Sequence, residues 1–275
     1  AASDVYKRQV MVALFNASTP HKTITTEDKH LNGGDRAINV TGLRFSWGLS
    51  PAPVLDITSL RIDKGERVFI EGPSGSGKST LLALLAGILT PQDGHVIVLD
   101  HCLEEMGGAL RDHFRADHIG FIFQMFNLIP YLTVIENVTL PCRFSRRRRE
   151  KALRNANSVL AEARRLLAHL DLDHPDLLSR AVTELSVGQQ QRVAAARALM
   201  GAPELVIADE PTSSLDAGHR RSFIRLLFEE CAKAQSTLVF VSHDISLAPL
   251  FDRTVRLPEI NRAGKDTSGH GSEVR

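Results

Sequence analysis

Residues 67–79 read RVFIEGPSGSGKS, a short apolar strand running into a glycine-rich loop and then an apolar helix. The loop Gly72-Pro73-Ser74-Gly75-Ser76-Gly77-Lys78-Ser79 fits G-x-x-x-x-G-K-[ST]. Its chemistry suits a polyphosphate. Glycines let backbone N–H groups curl round phosphate oxygens without a Cβ clash. The helix beginning here aims its positive end at them. Lys78 supplies a point charge for the β- and γ-phosphates, and the Ser79 hydroxyl is placed to ligate Mg²⁺. A strand before and an apolar helix over 72–89 lift the match above a chance glycine turn.

Outward from this loop, 38–47, 55–62 and 67–71 carry strand-like composition, with Lys64-Gly65 as a turn. Short apolar runs at 96–99, 119–123, 205–208 and 238–241 read as buried strands of an α/β sheet. Between 133 and 183 charged and Ala/Leu-rich segments replace the strands, which predicts a helical insertion. No internal repeat is visible.

Residues 205–216, LVIADEPTSSLD, place Asp209 and Glu210 at the carboxyl end of an apolar strand. Ligands of open α/β sheets bind beyond that end. Asp209 is suited to hold Mg²⁺ through water, and Glu210 to orient and polarise an attacking water. Residues 184–199, ELSVGQQQRVAAARAL, open with Ser186 and Gln189 in an S-x-x-Q capping box, then run as a helix that stops near Gly201 and Pro203. Its N-terminus, with Ser186 and Gly188, is a second anion site by the same physics. One nucleotide does not need two cradles from one chain unless the two meet across an interface.

The composition is that of an ordinary globular protein. Of 275 residues 43% are apolar, and 33 Lys+Arg against 32 Asp+Glu leave a net charge of +1, which gives no footprint for nucleic acid. Cys102, Cys142 and Cys231 are too widely spaced for a disulfide framework or a zinc motif and read as reduced thiols in a cytosolic protein. The longest apolar run, 81–89, is half of what a membrane span requires, and 10–15 is too short for a signal-peptide core. Work at a membrane would therefore need a second chain. Residues 4–9, DVYKRQ, read as the translation of a sequencing adaptor (GATGTGTATAAGAGACAG), so 1–36 is set aside as scar and mobile leader. The core is expected over 37–258, with the helical subdomain at about 133–188, and 259–275 as a polar tail. The basic stretch 143–165, with four arginines at 146–149, reads as a solvated helix start, with anionic headgroups or a membrane partner as the alternative contact.

Together these strings resemble the ATP-binding domain of ABC transporters over roughly 38–257. The resemblance implies a P-loop NTPase (RecA-like) α/β core, an antiparallel β subdomain and an inserted α-helical subdomain. It implies ATP and Mg²⁺ as ligands, and two copies pairing head to tail so that one phosphate loop faces the other's signature helix. Trp47, at the end of LRFSW, would stack on adenine. Residues 72–79 and the following Thr80 would bind the nucleotide. Gln124, in IGFIFQMFNLIP, would touch Mg²⁺ or water and report nucleotide state. Ser186, Gly188 and Gln189 would bind the partner's ATP, with Val187 standing where the commonest pattern has glycine. Asp216 resembles the D-loop aspartate, and His243, in TLVFVSHD, the switch histidine.

The texture of 121–141, with LSVGQQQR and DEPTSSLD, is most similar to the lipoprotein-release and macrolide-export branch (LolD-, MacB- and FtsE-like). That branch implies a peripheral ATPase at the cytoplasmic face of the membrane beneath a separate integral permease, with no nucleic-acid partner. The competing readings are a soluble ABC ATPase acting on ribosomes or DNA, and a cassette that regulates cell-wall hydrolases through a permease-like partner.

Overall fold

The computed structural model describes residues 35–48, 52–172, 174–213, 215 and 217–263. The adaptor-like string at 4–9, most of the leader, Asp216 and the chain beyond 263 lie outside these residues. In chain order the described strands are β1 (Arg36–Phe45), β2 (Leu55–Asp63), β3 (Arg67–Glu71), β4 (Asp93–Val98), β5 (His101–Cys102), β6 (Ile119–Ile122), β7 (Leu205–Asp209), β8 (Thr237–Val241) and β9 (Arg253–Arg256). They make two sheets. One is antiparallel, in the order β2-β1-β4-β5. The other is parallel, in the order β6-β7-β8-β3-β9.

The central strands β7, β8 and β3 of the parallel sheet read as apolar runs because both of their faces are covered. Phe69, Val206, Ala208, Leu238 and Phe240 join one core, and Val68, Ile70, Leu205, Ile207, Val239 and Val241 the other. Each fully buried side chain of this size stabilises the fold by about 1.5–3 kcal/mol. The second core also takes β1, β2 and β4 of the antiparallel sheet and helix α1 (Lys78–Leu85). The run at 96–99, read as a strand of the buried α/β sheet, instead pairs with β1 in the antiparallel sheet. Only Val96 and Val98 of β4 face the core, so its half-buried alternation is the sign that composition hid.

Helix α1 is shorter than its apolar run. Gly87 takes φ 65°, its N–H bonds Leu84 O at 3.0 Å and the Ile88 N–H bonds Ala83 O at 2.9 Å. This Schellman arrangement ends the helix with its last carbonyls satisfied. After it come α2 (Gly108–His118), α3 (Val134–Thr139), α4 (Pro141–Phe144), α5 (Arg146–Asn155), α6 (Val159–His169), α7 (Pro175–Leu178) and α8 (Val187–Leu199). A capping box of Thr133 and Glu136 opens α3. Helix α9 (Ala217–Ala234) precedes β8, and the short α10 (Leu257–Ile260) follows β9.

Helix α8 lies against β6 with no room to spare. A Cβ on Gly120 would meet Ala198 O at 2.3 Å. Gly120→Ala therefore forces backbone apart, and a loss of about 1–3 kcal/mol is expected from its urea midpoint.

Three of the four arginines at 146–149 are exposed, as a solvated helix start requires, and one is not. Arg148 is buried at 3% exposure and donates to Ala198 O, while Arg147 and Lys151 both pair with Glu204. Arg146 pairs only with Glu150 on its own helix. Helix α5 packs Arg148 inward, against the end of α8. A second charged cluster joins α6 to α9. Arg165 reaches both oxygens of Glu230, at 3.0 and 2.8 Å, and Lys233 adds a bond of 2.9 Å. Burial pushes the Glu230 carboxyl up, but Arg165 and Lys233 outweigh it and hold it down at about 2. An unfolded glutamate titrates near about 4.3, so this contribution is complete above that pH and is lost as pH falls towards 2. Glu230→Gln is expected to lower stability at neutral pH and to flatten the acid side of the stability profile, measured by urea unfolding across that window.

Candidate nucleotide site

The phosphate loop leaves β3 and curls under two left-handed glycines, Gly75 at φ 78° and Gly77 at φ 97°. Gly77 also admits no side chain: a Cβ would lie 2.8 Å from Leu55 Cδ2 and 3.3 Å from Val54 O. The loop is thus seated on the start of β2. A Cβ on Gly72 would meet Ser76 Oγ at 2.7 Å. That hydroxyl is buried with no hydrogen-bond partner. The first-turn N–H groups of α1 have no intrahelical acceptor, so the loop offers donors and partial positive charge. Lys78 folds back across it, its ammonium donating to Gly72 O at 2.7 Å and Pro73 O at 2.9 Å. Pro73, Ser74 and Ser79 are exposed, and Thr80 is buried in the first helical turn.

The other predicted residues arrive by strand register. Ile70 and Asp209 both pair with Val241, and Ile122 pairs with Ala208. The phosphate loop, Asp209-Glu210, His243 and Gln124 therefore leave the carboxyl ends of four strands at one edge of the sheet. Burial pushes the Asp209 carboxyl up, with Ser79 opposing and the neighbouring Glu210 charge adding. Glu210 takes φ 48°, a left-handed conformation that costs a non-glycine residue about 1–2 kcal/mol. Its N–H is held by Val241 O at 2.9 Å. The His243 ring meets the Glu210 carboxylate, Nδ1 to Oε2, at 2.7 Å. A charged carboxylate only accepts, so Nδ1 is then the donor.

Gln124 is exposed in the turn that follows β6. Two residues beyond it, Phe126 and Asn127 are both left-handed, at φ 58° and 48°. Their carbonyls are gripped by one side chain of α8: Arg197 donates to Asn127 O and Phe126 O, each at 2.7 Å. Burial pushes this guanidinium down to about 10. Sequence reading passed over Arg197, because within an Ala-rich helix it looks like surface. Asn137 was passed over as well. It is buried and closes residues 129–133, accepting from Ile129 N at 2.8 Å and donating to the carbonyls of Ile129, Leu132 and Thr133.

Trp47 stands at the open end of β1, 36% exposed, with its ring edge-on to Phe45 at 5.2 Å. Ser186 and Gln189 form the expected capping box at the start of α8, and Val187 is exposed in its first turn. Gly188 faces Leu215. No hydrogen bond among the described residues joins this helix start to the phosphate loop. Asn261, assigned by composition to the polar tail, is 8% exposed. It accepts from Asp56 N at 2.8 Å and donates to Val54 O at 3.0 Å and Ser76 O at 3.4 Å. It braces the phosphate loop from behind, which is why the chain stays packed past 259.

Comparison with known proteins shows the family. The family model described as "ABC transporter" matches residues 55–213. The lipoprotein-releasing system ATP-binding protein LolD of Syntrophotalea carbinolica is 39% identical over 231 residues, 83% of this chain and 98% of that protein. A dimeric structure of MJ0796, described as a bacterial ABC transporter cassette, superposes with a TM-score of 0.71 at 35% identity, covering 80% of this chain and 93% of that one. A second dimeric structure of MJ0796, in a post-hydrolysis state bound to ADP and Pi, gives 0.68 at 33% identity over the same shares. The chain belongs to the ABC transporter family, as one of its ATP-binding and ATP-hydrolysing cassettes.

Proposed function

We propose that this cassette drives a separate membrane permease in lipoprotein release or a related export, working as a pair of copies at the cytoplasmic face. The observation that carries the mechanism is the Glu210–His243 pair, set beside Asp209 and the phosphate loop at one sheet edge. ATP fits the loop: its γ-phosphate would meet Lys78 and the start of α1. Glu210 takes a proton from water as the new O–P bond forms and the bridging bond to ADP breaks. His243 keeps that carboxylate aimed, and contact of Nε2 with the phosphate requires the doubly protonated ring, in which both nitrogens donate. Mg²⁺ fits the all-oxygen pair of the Ser79 hydroxyl and Asp209 carboxylate, with the Gln124 amide as a third oxygen. When bound, it would neutralise charge on the β- and γ-phosphate oxygens.

The second cradle, Ser186, Gly188 and Gln189, is assigned to the ATP of the other copy, and Asp216 to the interface between them. Trp47 is assigned to the adenine ring. These roles go with a division of the chain into an ATP-binding domain over 37–258 and a helical subdomain at about 133–188. The permease assignment is supported by two large exposed hydrophobic side chains in the segment that follows β6: Met125, next to Gln124, is 66% exposed and Tyr131 73%. No described helix is long and apolar enough to cross a membrane. The cargo class rests on the LolD relative, which matches over nearly its whole length.

The test is to purify tagged Glu210→Gln protein from detergent-solubilised native membranes with ATP and Mg²⁺, and to identify what comes with it. A permease with a large extracytoplasmic domain is expected. Recovery with ribosomes or DNA and no membrane chain would overturn the transport reading and leave the ATPase chemistry standing.

A further inference from the structure

On the outer face of the antiparallel sheet three metal-type donors converge, away from every residue of the nucleotide site. They are His95 on β4, Cys102 on β5 and Glu104 in the 3-10 turn Leu103–Glu105. One ligand atom from each lies within 4.8 Å of the other two. The register brings them together. Ile97 pairs with Cys102, so one pleat further on Glu104 stands across from His95, and residues two apart share a face. His95 Nδ1 meets Glu104 Oε1 at 2.6 Å, while Glu104 Oε2 accepts from Val96 N at 3.1 Å. The Cys102 thiol lies within 4.8 Å of that carboxylate and of the imidazole. A backbone amide thus fixes Glu104 where it holds the imidazole and faces the thiol.

We propose that His95, Cys102 and Glu104 form a zinc site, with water as the fourth ligand. A nitrogen, a sulfur and an oxygen donor suit Zn²⁺, whereas Mg²⁺ and Ca²⁺ take oxygen ligands and leave a thiol unused. Coordination places the metal where the thiol proton now lies, and that proton leaves to solvent with no change of oxidation state. The ion would staple β5, a strand of only two residues, to β4. Cysteine spacing conceals such a site, since two of its three ligands are not cysteine and the hairpin supplies them.

The experiment uses full-length, tag-free protein stripped of metal and titrated with Co²⁺. One Co²⁺ per chain is expected, with a thiolate-to-cobalt charge-transfer band that added Zn²⁺ abolishes. Cys102→Ser should lose the band while keeping its ATP hydrolysis, which shows it is folded. His95→Ala should weaken binding by at least about tenfold, the lower bound for losing even an outer partner of a metal ligand. Cys142 and Cys231 are buried, so neither is placed to give the signal. Absence of the band in the unaltered protein, or its persistence in Cys102→Ser, would overturn the proposal.

Discussion

Glu210→Gln is expected to reduce steady-state ATP hydrolysis by about 10²–10⁴-fold, the usual range for removing a general base. Glutamine keeps the length of the side chain and the bond to His243, but it cannot take up a proton. Nothing about the phosphate loop changes, so ATP binding should persist and the ATP-bound pair of copies should accumulate. Two readouts separate the causes: phosphate release reports the chemistry, and light scattering with ATP and Mg²⁺ reports the dimer. Full activity in this variant would remove Glu210 from its assigned role. The left-handed backbone at Glu210 adds a control. Glutamine suffers the same strain as glutamate, so a stability change in the variant should be small.

Lys78→Ala is expected to have the second-largest effect, on affinity. Its ammonium already spans Gly72 O and Pro73 O, so it is poised over the space the loop encloses. A hydrogen bond to a charged group is worth about 1.5–3 kcal/mol, which converts to a loss of roughly 10- to 150-fold in ATP affinity. Titration with a fluorescent ATP analogue checks it, and unchanged affinity would contradict the assignment of 72–79 to phosphate binding. The two substitutions should differ in kind: Lys78→Ala weakens binding, Glu210→Gln spares it.

Local chemistry was the part of this protein most open to reading in advance. The phosphate loop announces itself because only glycine tolerates the φ values at 75 and 77, and the box at Ser186 because its two side chains satisfy each other within one turn. The parallel strands β3, β7 and β8 were legible since burial on both faces leaves their central residues apolar. Strand β9 was missed: RTVR buries only Val255, and its arginines at 253 and 256 pair with Glu66 and Glu71, nearly two hundred positions earlier in the chain. Separation in sequence also hid the inward turn of Arg148, whose partner lies 50 positions on, and the bracing role of Asn261, 205 positions from Asp56. In each case a polar side chain is defined by a partner that only the folded chain brings near. The left-handed backbone at Glu210 was equally invisible, because it goes with the bond from its N–H to Val241 O on β8, more than thirty positions on.

The grip of Arg197 on Phe126 and Asn127 has a mechanical meaning. Two successive left-handed residues form a shape the chain would not keep alone, and the guanidinium that keeps it belongs to the helix beginning at Val187. Loop and helix are therefore a crank and its shaft. Any rotation of the helix that starts beside Gly188 must swing the segment carrying Gln124, Met125 and Phe126. A stimulus at either end arrives at the other as displacement, without a hinge between them to absorb it.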